Sequence, residues 1–438
     1  MSDEPEKNPR VLIVAENASL KFGGEATKPY LFFKFFRQRG MDVRLLVHSR
    51  CRAELEAAFP QELDRIYFIP DTVGHKLLWQ VGKRMPAKVD DQTLGFVRHQ
   101  ITQALQRRIA KDLVAKHDID VVHEPTPISP KQVSMMFDLG APVVIGPLCG
   151  GMDYPPAFQY MQSAFARNLE RAGRAVSQIF HEALPGKLKA GALVVANDRT
   201  KLALPRGCRG RLYDMPESGV ELKSYPPIDY AARTDDGVVR FVYLGRLVDW
   251  KAVDLLIDAF KGVADHHPTA RLDVLGDGPE LDPVRRRAKE LMLPEDRVSF
   301  AGWVNKTTGM ERLRAADVFV LPSLRECGGN ALLEAMAVGL PCIATNWGGP
   351  GKYLDETCGI RVEPSTRDGF VAGLTAAMLR LAESPELRRS MGAAARRRLS
   401  EHYFTWESKV ARMLEIYRDT IEFERSGAVP GAPAHLAA

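Results

Sequence analysis

Two glutamates eight residues apart, Glu326 and Glu334, frame the stretch of this chain best suited to chemistry. Before them, Val318 to Leu321 is a short apolar run of the kind that makes a buried strand, ended by Pro322-Ser323. Gly328-Gly329 give the following turn a flexible backbone. Asn330 is placed to cap a helix through Leu332, Leu333, Ala335 and Met336, with Gly339 as its stop. Pro341 then opens another strand, Cys342-Ile343-Ala344-Thr345. A strand, a glycine-rich loop and a helix in that order aim free backbone N–H groups and a helix dipole at one point, which is an anion site. One carboxylate at the start of the loop and another one turn into the helix can flank a ligand whose anionic part rests on the glycines. Such an arrangement suits a diphosphate carrying two hydroxyl-rich groups, one for each carboxylate. Without the glycines and flanking strands, two glutamates at this spacing would be solvated surface.

A second constellation lies upstream. Strand Val239 to Leu244 runs into Gly245-Arg246-Leu247-Val248-Asp249-Trp250-Lys251, and a helix follows with apolar spacing at Val253, Leu256, Ile257 and Phe260. Arg246 and Lys251 therefore bring two cations to a strand end and a helix start. The glutamate pair, with its glycines and Leu-Glu-Ala-Met-Ala, resembles the donor site of retaining glycosyltransferase family 4, the group 1 glycosyltransferases. The Gly-Arg-Leu…Lys stretch is similar to that family's diphosphate-binding element, although Ala252 stands where the family usually has glycine. The likeness is close from Val239 to about Tyr417 and looser before that.

The resemblance implies a set of roles. Arg246, Lys251 and the backbone of Gly328, Gly329 and Asn330 would hold the diphosphate, Glu334 the ribose hydroxyls and Glu326 the sugar hydroxyls. Val304, in the exit loop of the strand starting at Val298, would pack on the base. His123, in the strand-end motif His123-Glu124-Pro125, would reach the sugar from the opposite domain. Gly23-Gly24, a loop that lets a ligand approach closely, would face the diphosphate across the cleft. No Asp-x-Asp cluster stands at a strand end to hold a divalent ion, so metal independence is expected, with no cofactor beyond a UDP- or GDP-sugar donor substrate.

These residues need a frame. Val11 to Ala15 reads as a buried first strand, residues 26–39 as a helix stopped by Gly40, and Val43 to Val47 as a second strand, the opening of a doubly wound fold. Residues 71–118 look helical and amphipathic. Strands follow at Val121-Val122-His123, at residues 142–146 and at residues 192–196, and a second glycine loop, Cys149 to Tyr154, is a candidate acceptor-side wall. The fold class expected is α/β with the GT-B architecture, two Rossmann-like doubly wound domains facing across a cleft. The boundaries expected are 1–230 for an acceptor-side domain and 231–404 for the donor-binding domain. Pro226-Pro227 and residues 233–237 read as the linker, and a last helix of about 405–425 would cross back onto the first domain. Residues 1–9 and the tail 426–438 read as disordered, and Asn346 to Gly351 as a mobile loop.

Composition narrows the classes. A chain of 438 residues has room for two domains, and 45% hydrophobic with 26% charged residues describes a globular protein. A formal net charge of +5 is slight at this length and does not argue for nucleic acid. Six cysteines without CxxC spacing read as reduced packing residues. Without a leader or a membrane-spanning run, a cytoplasmic location is expected. The excess of Arg and Lys, with interleaved aromatics, between Phe158 and Leu212 would suit peripheral contact with an anionic membrane, or a plain solvated helix face. The glycines after Leu275 are not a dinucleotide fingerprint, which excludes NAD.

The function expected is transfer of a sugar from a nucleotide-diphosphate sugar to an unknown acceptor, in polysaccharide or glycolipid biosynthesis. The rivals are a GT-B nucleotide-sugar epimerase, a phosphorylase-like enzyme with lysine-bound pyridoxal phosphate, and a non-catalytic sugar- or polyanion-binding protein. Base, sugar, acceptor and oligomeric state leave no mark in the sequence.

Overall fold

Continuous apolar runs such as Val11-Leu12-Ile13-Val14 make strands that are buried on both faces, the signature of a parallel sheet covered by helices. The structure, a computed structural model, describes residues 8–86, 89–90, 93–162, 173, 177–230, 233 and 236–426. It divides into two compact units. Among the described residues, unit 1 takes those up to Gly151, those from 168 to 217 and those from 409 on, and unit 2 takes 152 to 167 and 218 to 408. Residues 1–7, 427–438 and much of the basic stretch (163–172 and 174–176) lie outside the described residues.

Unit 1 is built on seven parallel strands, β1 (Val11–Val14), β2 (Val43–His48), β3 (Ile66–Ile69), β4 (Val121–Glu124), β5 (Val143–Leu148), β6 (Ala192–Val195) and β7 (Arg211–Asp214). Their spatial order is β3-β2-β1-β4-β5-β6-β7, with Val11 paired to Val43 on one side and Val121 on the other. Unit 2 has six parallel strands, β8 (Arg240–Leu244), β9 (Arg271–Leu275), β10 (Val298–Gly302), β11 (Val318–Leu321), β12 (Cys342–Thr345) and β13 (Gly359–Val362), in the order β10-β9-β8-β11-β12-β13. Strand order therefore reverses between β1 and β4 in unit 1 and between β8 and β11 in unit 2. Outside the carboxyl ends of such strand pairs, flanking loops diverge and leave a crevice for a ligand.

The helices that matter for the sites are α1 (Gly24–Gln38), α2 (Val73–Gly82), α3 (Leu94–His117), α4 (Val253–His266), α5 (Asn330–Val338) and α6 (Trp406–Arg425). On α4 the expected apolar positions Val253, Leu256, Ile257 and Phe260 are all buried. Helix α5 ends at Gly339 in the left-handed conformation, as its sequence requires. From Lys409 on, α6 belongs to unit 1, where Tyr417 is fully buried.

The remaining differences from the sequence reading are local. Unit 2 begins at Ser218 rather than 231, and it also takes the segment from Met152, whose Tyr154 and Phe158 enter its core. Cys51, Cys208, Cys342 and Cys358 are free, buried thiols, as expected.

Candidate functional site

In unit 2, the loop after β8 and the loop after β11 leave the sheet at the point where strand order reverses. Lys251 ends the 3-10 turn Asp249–Lys251 on the first loop, and Glu326 opens the second. The Lys251 ammonium is ion-paired with Glu326 Oε2, and both side chains are largely enclosed. Two residues assigned separately from sequence, one to phosphate and one to sugar, are thus each other's partner here.

Ala252 follows Lys251 in the left-handed conformation with φ 50°, which explains why glycine suits this position. The cap of α5 differs from expectation. Gly329, with φ 94°, is the N-cap, and Asn330 is the exposed first residue of the helix. The turn requires a left-handed residue at the cap, which glycine supplies and asparagine need not. Gly328, Gly329 and Asn330 lie between Glu326 and the body of α5, at its N-terminus.

Glu334 sits one turn into α5, and the Tyr225 hydroxyl donates to its Oε1 at 3.0 Å. Burial pushes the Glu334 carboxyl above its ordinary range, while the hydrogen bond from Tyr225 and the nearby Lys306 ammonium pull it down. Tyr225 was missed in the sequence because it lies 109 residues from its partner, just before the Pro226-Pro227 pair read as linker. Lys306 Nζ lies 5.2 Å from the centroid of the Tyr225 ring.

Arg246 is exposed and lines a pocket of about 570 Å³ with Val304, Trp303, Gly276, Asp277 and Gly278, at the carboxyl ends of β8, β9 and β10. Arg246 and Val304 are therefore brought together, whereas Lys251, Glu326 and Glu334 lie outside that pocket's lining.

The loop expected to be mobile, Asn346 to Gly351, is instead a wall. An added Cβ at Gly349 would stand 2.0 Å from the Cys327 carbonyl oxygen, and one at Gly348 would stand 2.3 Å from that of Glu326. The Gly349 N–H donates to the Glu326 carbonyl at 3.1 Å. Trp347 Nε1 donates to the Asp153 carbonyl at 2.9 Å, and Arg325 Nε to the Met152 carbonyl at 2.8 Å. This backbone-to-backbone approach is possible only with glycine, and it fixes where Glu326 starts.

In unit 1, Gly23 and Gly24 are exposed at the N-terminus of α1, with open space where a Cβ would stand. His123 departs from the role the resemblance gave it. It lies inside β4, fully buried, because the proline that ends the strand acts after Glu124 rather than at His123. Its Nε2 donates to the Gly146 carbonyl at 2.7 Å, and its Nδ1 accepts from the Tyr417 hydroxyl at 2.7 Å. Burial pushes its pKa down to about 4. Both ring nitrogens are occupied within unit 1, so in this arrangement His123 is an internal strut with no nitrogen to offer a sugar.

Among the described residues, one group has metal-ligand composition, namely His48, Asp71 and His75, whose donor atoms lie within 4.8 Å of one another. Its tautomers fit a metal poorly. His48 Nδ1 accepts from the Arg50 backbone N–H at 3.2 Å, and His75 Nδ1 accepts from the Thr72 backbone N–H at 3.2 Å. The neutral rings therefore carry their proton on Nε2, which makes each Nε2 a donor rather than a metal ligand.

Residues 230–398 match the family model described as Glycosyl transferases group 1. The glycogen synthase of Mycobacterium tuberculosis is 32% identical over 203 residues, which is 46% of this chain and 47% of that one. The chain thus spans about half the length of the curated relatives it matches. Among solved structures, a glycosyltransferase from Rickettsia africae covers 95% of this chain and 99% of its own, with TM-score 0.62 and 14% identity. Anabaena Alr3699/HepE, solved with UDP, covers 93% of this chain and 100% of its own, with TM-score 0.59 and 16% identity. The fold is α/β with two doubly wound parallel sheets, the GT-B architecture.

Proposed function

We propose that this protein is a retaining glycosyltransferase that moves a sugar from a nucleotide-diphosphate sugar to an acceptor in glycan biosynthesis, in the cytoplasm and without a metal ion. One observation carries the reading. The loops after β8 and β11, which border the strand-order reversal of unit 2, bring the Lys251–Glu326 pair to the N-terminus of α5, inside the segment that matches the group 1 family. The names of the relatives, among them a glycogen synthase, support the same class.

The chemical demand is departure of the nucleoside diphosphate. As the bond between the anomeric carbon and the phosphate oxygen breaks, negative charge builds on the diphosphate. Arg246, Lys251 and the N–H groups of Gly328, Gly329 and Asn330 supply fixed positive charge to meet it. These groups do the work a divalent ion does elsewhere. Glu334 takes the ribose hydroxyls beside Tyr225, and Glu326 takes sugar hydroxyls. Retention of configuration, which the family resemblance implies, calls for attack by the acceptor hydroxyl on the face the diphosphate leaves, its proton passing to the departing phosphate oxygen. UDP is the favoured nucleotide, on the strength of the Anabaena protein solved with it.

A ligand that binds only the folded state raises the melting temperature. Screening UDP-, GDP- and ADP-sugars with excess chelator should show stabilisation by a UDP-sugar and by UDP. No shift with any nucleotide at saturation would remove the donor-site reading, and activity lost with chelator but restored by manganese would remove metal independence.

A further inference from the structure

Helix α2 is turned the opposite way from an ordinary surface helix. Its inward face carries Gly74, His75, Leu78 and Gly82, of which His75 and Gly82 are buried. His75 Nε2 meets Thr102 Oγ1 of α3 at 3.0 Å, and Arg98 of α3 donates to the Leu78 carbonyl at 3.2 Å. A Cβ at Gly74 would lie 3.5 Å from Ile101 Cδ1, so the two helices pack closely on this side. The apolar residues face out instead. Val73 is 83% exposed, Leu77 59%, Trp79 54% and Val81 47%. Val73, Leu77 and Val81 recur every four residues and so share one face.

The charge on this face has one sign. Lys76, Lys83 and Arg84 are exposed, and residues 72–86 contain no Asp or Glu. Lys83 Nζ sits over the Trp79 ring, 3.6 Å from its centroid. Two bordering carboxylates among the described residues are engaged elsewhere. Asp90 pairs with Arg98 at 2.7 Å, and Asp71 lies 3.3 Å from His48 Nε2. A short helix with an outward apolar row, a tryptophan and lysines but no acids has the chemistry of an element that lies in a lipid headgroup layer. It cannot span a bilayer, and no described helix is long and apolar enough to do so.

We propose that the outward face of α2 docks the protein on an anionic lipid surface, with Val73, Leu77 and Val81 entering the headgroup–acyl boundary and Lys76, Lys83 and Arg84 meeting lipid phosphates. The surface is distinct from the basic stretch 158–212 that the sequence suggested, and it does not depend on the transfer reaction. Charge decides the occupant. A second copy would set three cations against three, whereas an anionic bilayer complements all of them.

The test is co-sedimentation of the full chain with phosphatidylcholine vesicles, with and without about 30% phosphatidylglycerol, at low and high salt. Wild type should bind the anionic vesicles, bind the neutral ones at least tenfold less, and lose binding as salt rises. Leu77→Ser/Val81→Ser should weaken anionic binding by tenfold or more, as should Lys76→Gln/Lys83→Gln. Both variants should keep the wild-type melting temperature, which shows that they fold. Absence of wild-type binding to anionic vesicles overturns the proposal, and so does equal binding by both variants. A lipid-free dimer that Leu77→Ser/Val81→Ser dissociates would overturn it too, since the face would then belong to a second copy.

Discussion

Lys251 and Glu326 neutralise each other in the ligand-free protein, and that sets what each substitution does. A diphosphate arriving at Lys251 must share it with the carboxylate or replace it. Glu326→Gln removes the competitor, so UDP affinity should stay equal or tighten, while turnover should fall if, as proposed, the sugar loses a partner that strengthens in the transition state. Lys251→Ala removes the cation, so turnover should fall on the order of a hundredfold, the scale of one lost transition-state donor, and UDP binding should weaken. Titration calorimetry with UDP beside steady-state kinetics reads both, and loss of UDP binding in Glu326→Gln alone would reverse the assignment. The sequence marked both residues, since each sits at a strand exit beside glycine or a helix start. Their pairing across 75 residues was not legible, because strand order and not chain order makes β8 and β11 neighbours. His123 shows the converse failure. A histidine before a proline looks like a strand-end ligand, yet only the fold reveals that β4 is central, buried on both faces, and closed over by Tyr417 of α6.

At the scale of elements, the glycine loop before α5 is shaped by a second loop as well as by its own residues. Gly348 and Gly349 lie against the carbonyls of Glu326 and Cys327, so backbone presses on backbone with no side chain able to yield. Gly349→Ala should push the 326–329 turn away from its position, lowering UDP affinity tenfold or more and the melting temperature by several degrees. Unchanged UDP affinity in Gly349→Ala would show that the two loops are independent. A deletion within the core element has a different signature. Leu333→Ala opens a cavity in a side chain with no exposure and should cost about 2–5 kcal/mol by chemical denaturation, with the active-site geometry kept in the molecules that remain folded. The strand-loop-helix-strand unit itself was readable to within a residue, because each boundary carries a local signal: Pro322 after β11, Gly339 after α5 and Pro341 before β12. The role of residues 346–351 was not. A run of glycines signals freedom in the sequence, and only the neighbouring carbonyls show that here it signals close approach.

At the scale of the whole molecule, the buried histidines of unit 1 set a limit on acid stability. Burial pushes the pKa of His123 to about 4, and burial with the nearby Lys187 ammonium pushes that of His181 to about 4. An unfolded chain takes up protons on these rings near their ordinary pKa of 6.5, whereas the folded chain refuses them until about 4. Their contribution is therefore intact above pH 6.5 and is lost progressively as the pH falls from 6.5 toward 4, each ring by up to on the order of 3 kcal/mol. Glu124 acts in the opposite sense. Burial raises its carboxyl, which is held by Gln103 and Ser134, so the folded state binds that proton earlier than the unfolded chain does and gains stability over part of the same range. Total stability alone would mix the two effects, and a comparison of variants separates them. His123→Gln should be less stable than wild type at pH 7.5, since it disturbs the hydrogen bonds to Tyr417 and Gly146. Its deficit should shrink by about 2–3 kcal/mol by pH 4.5, because glutamine has no proton to refuse. Urea unfolding of both proteins at pH 7.5, 6.0, 5.2 and 4.5 measures that gap, and a deficit constant across the series would mean that the His123 ring is protonated in the fold as readily as in the unfolded chain.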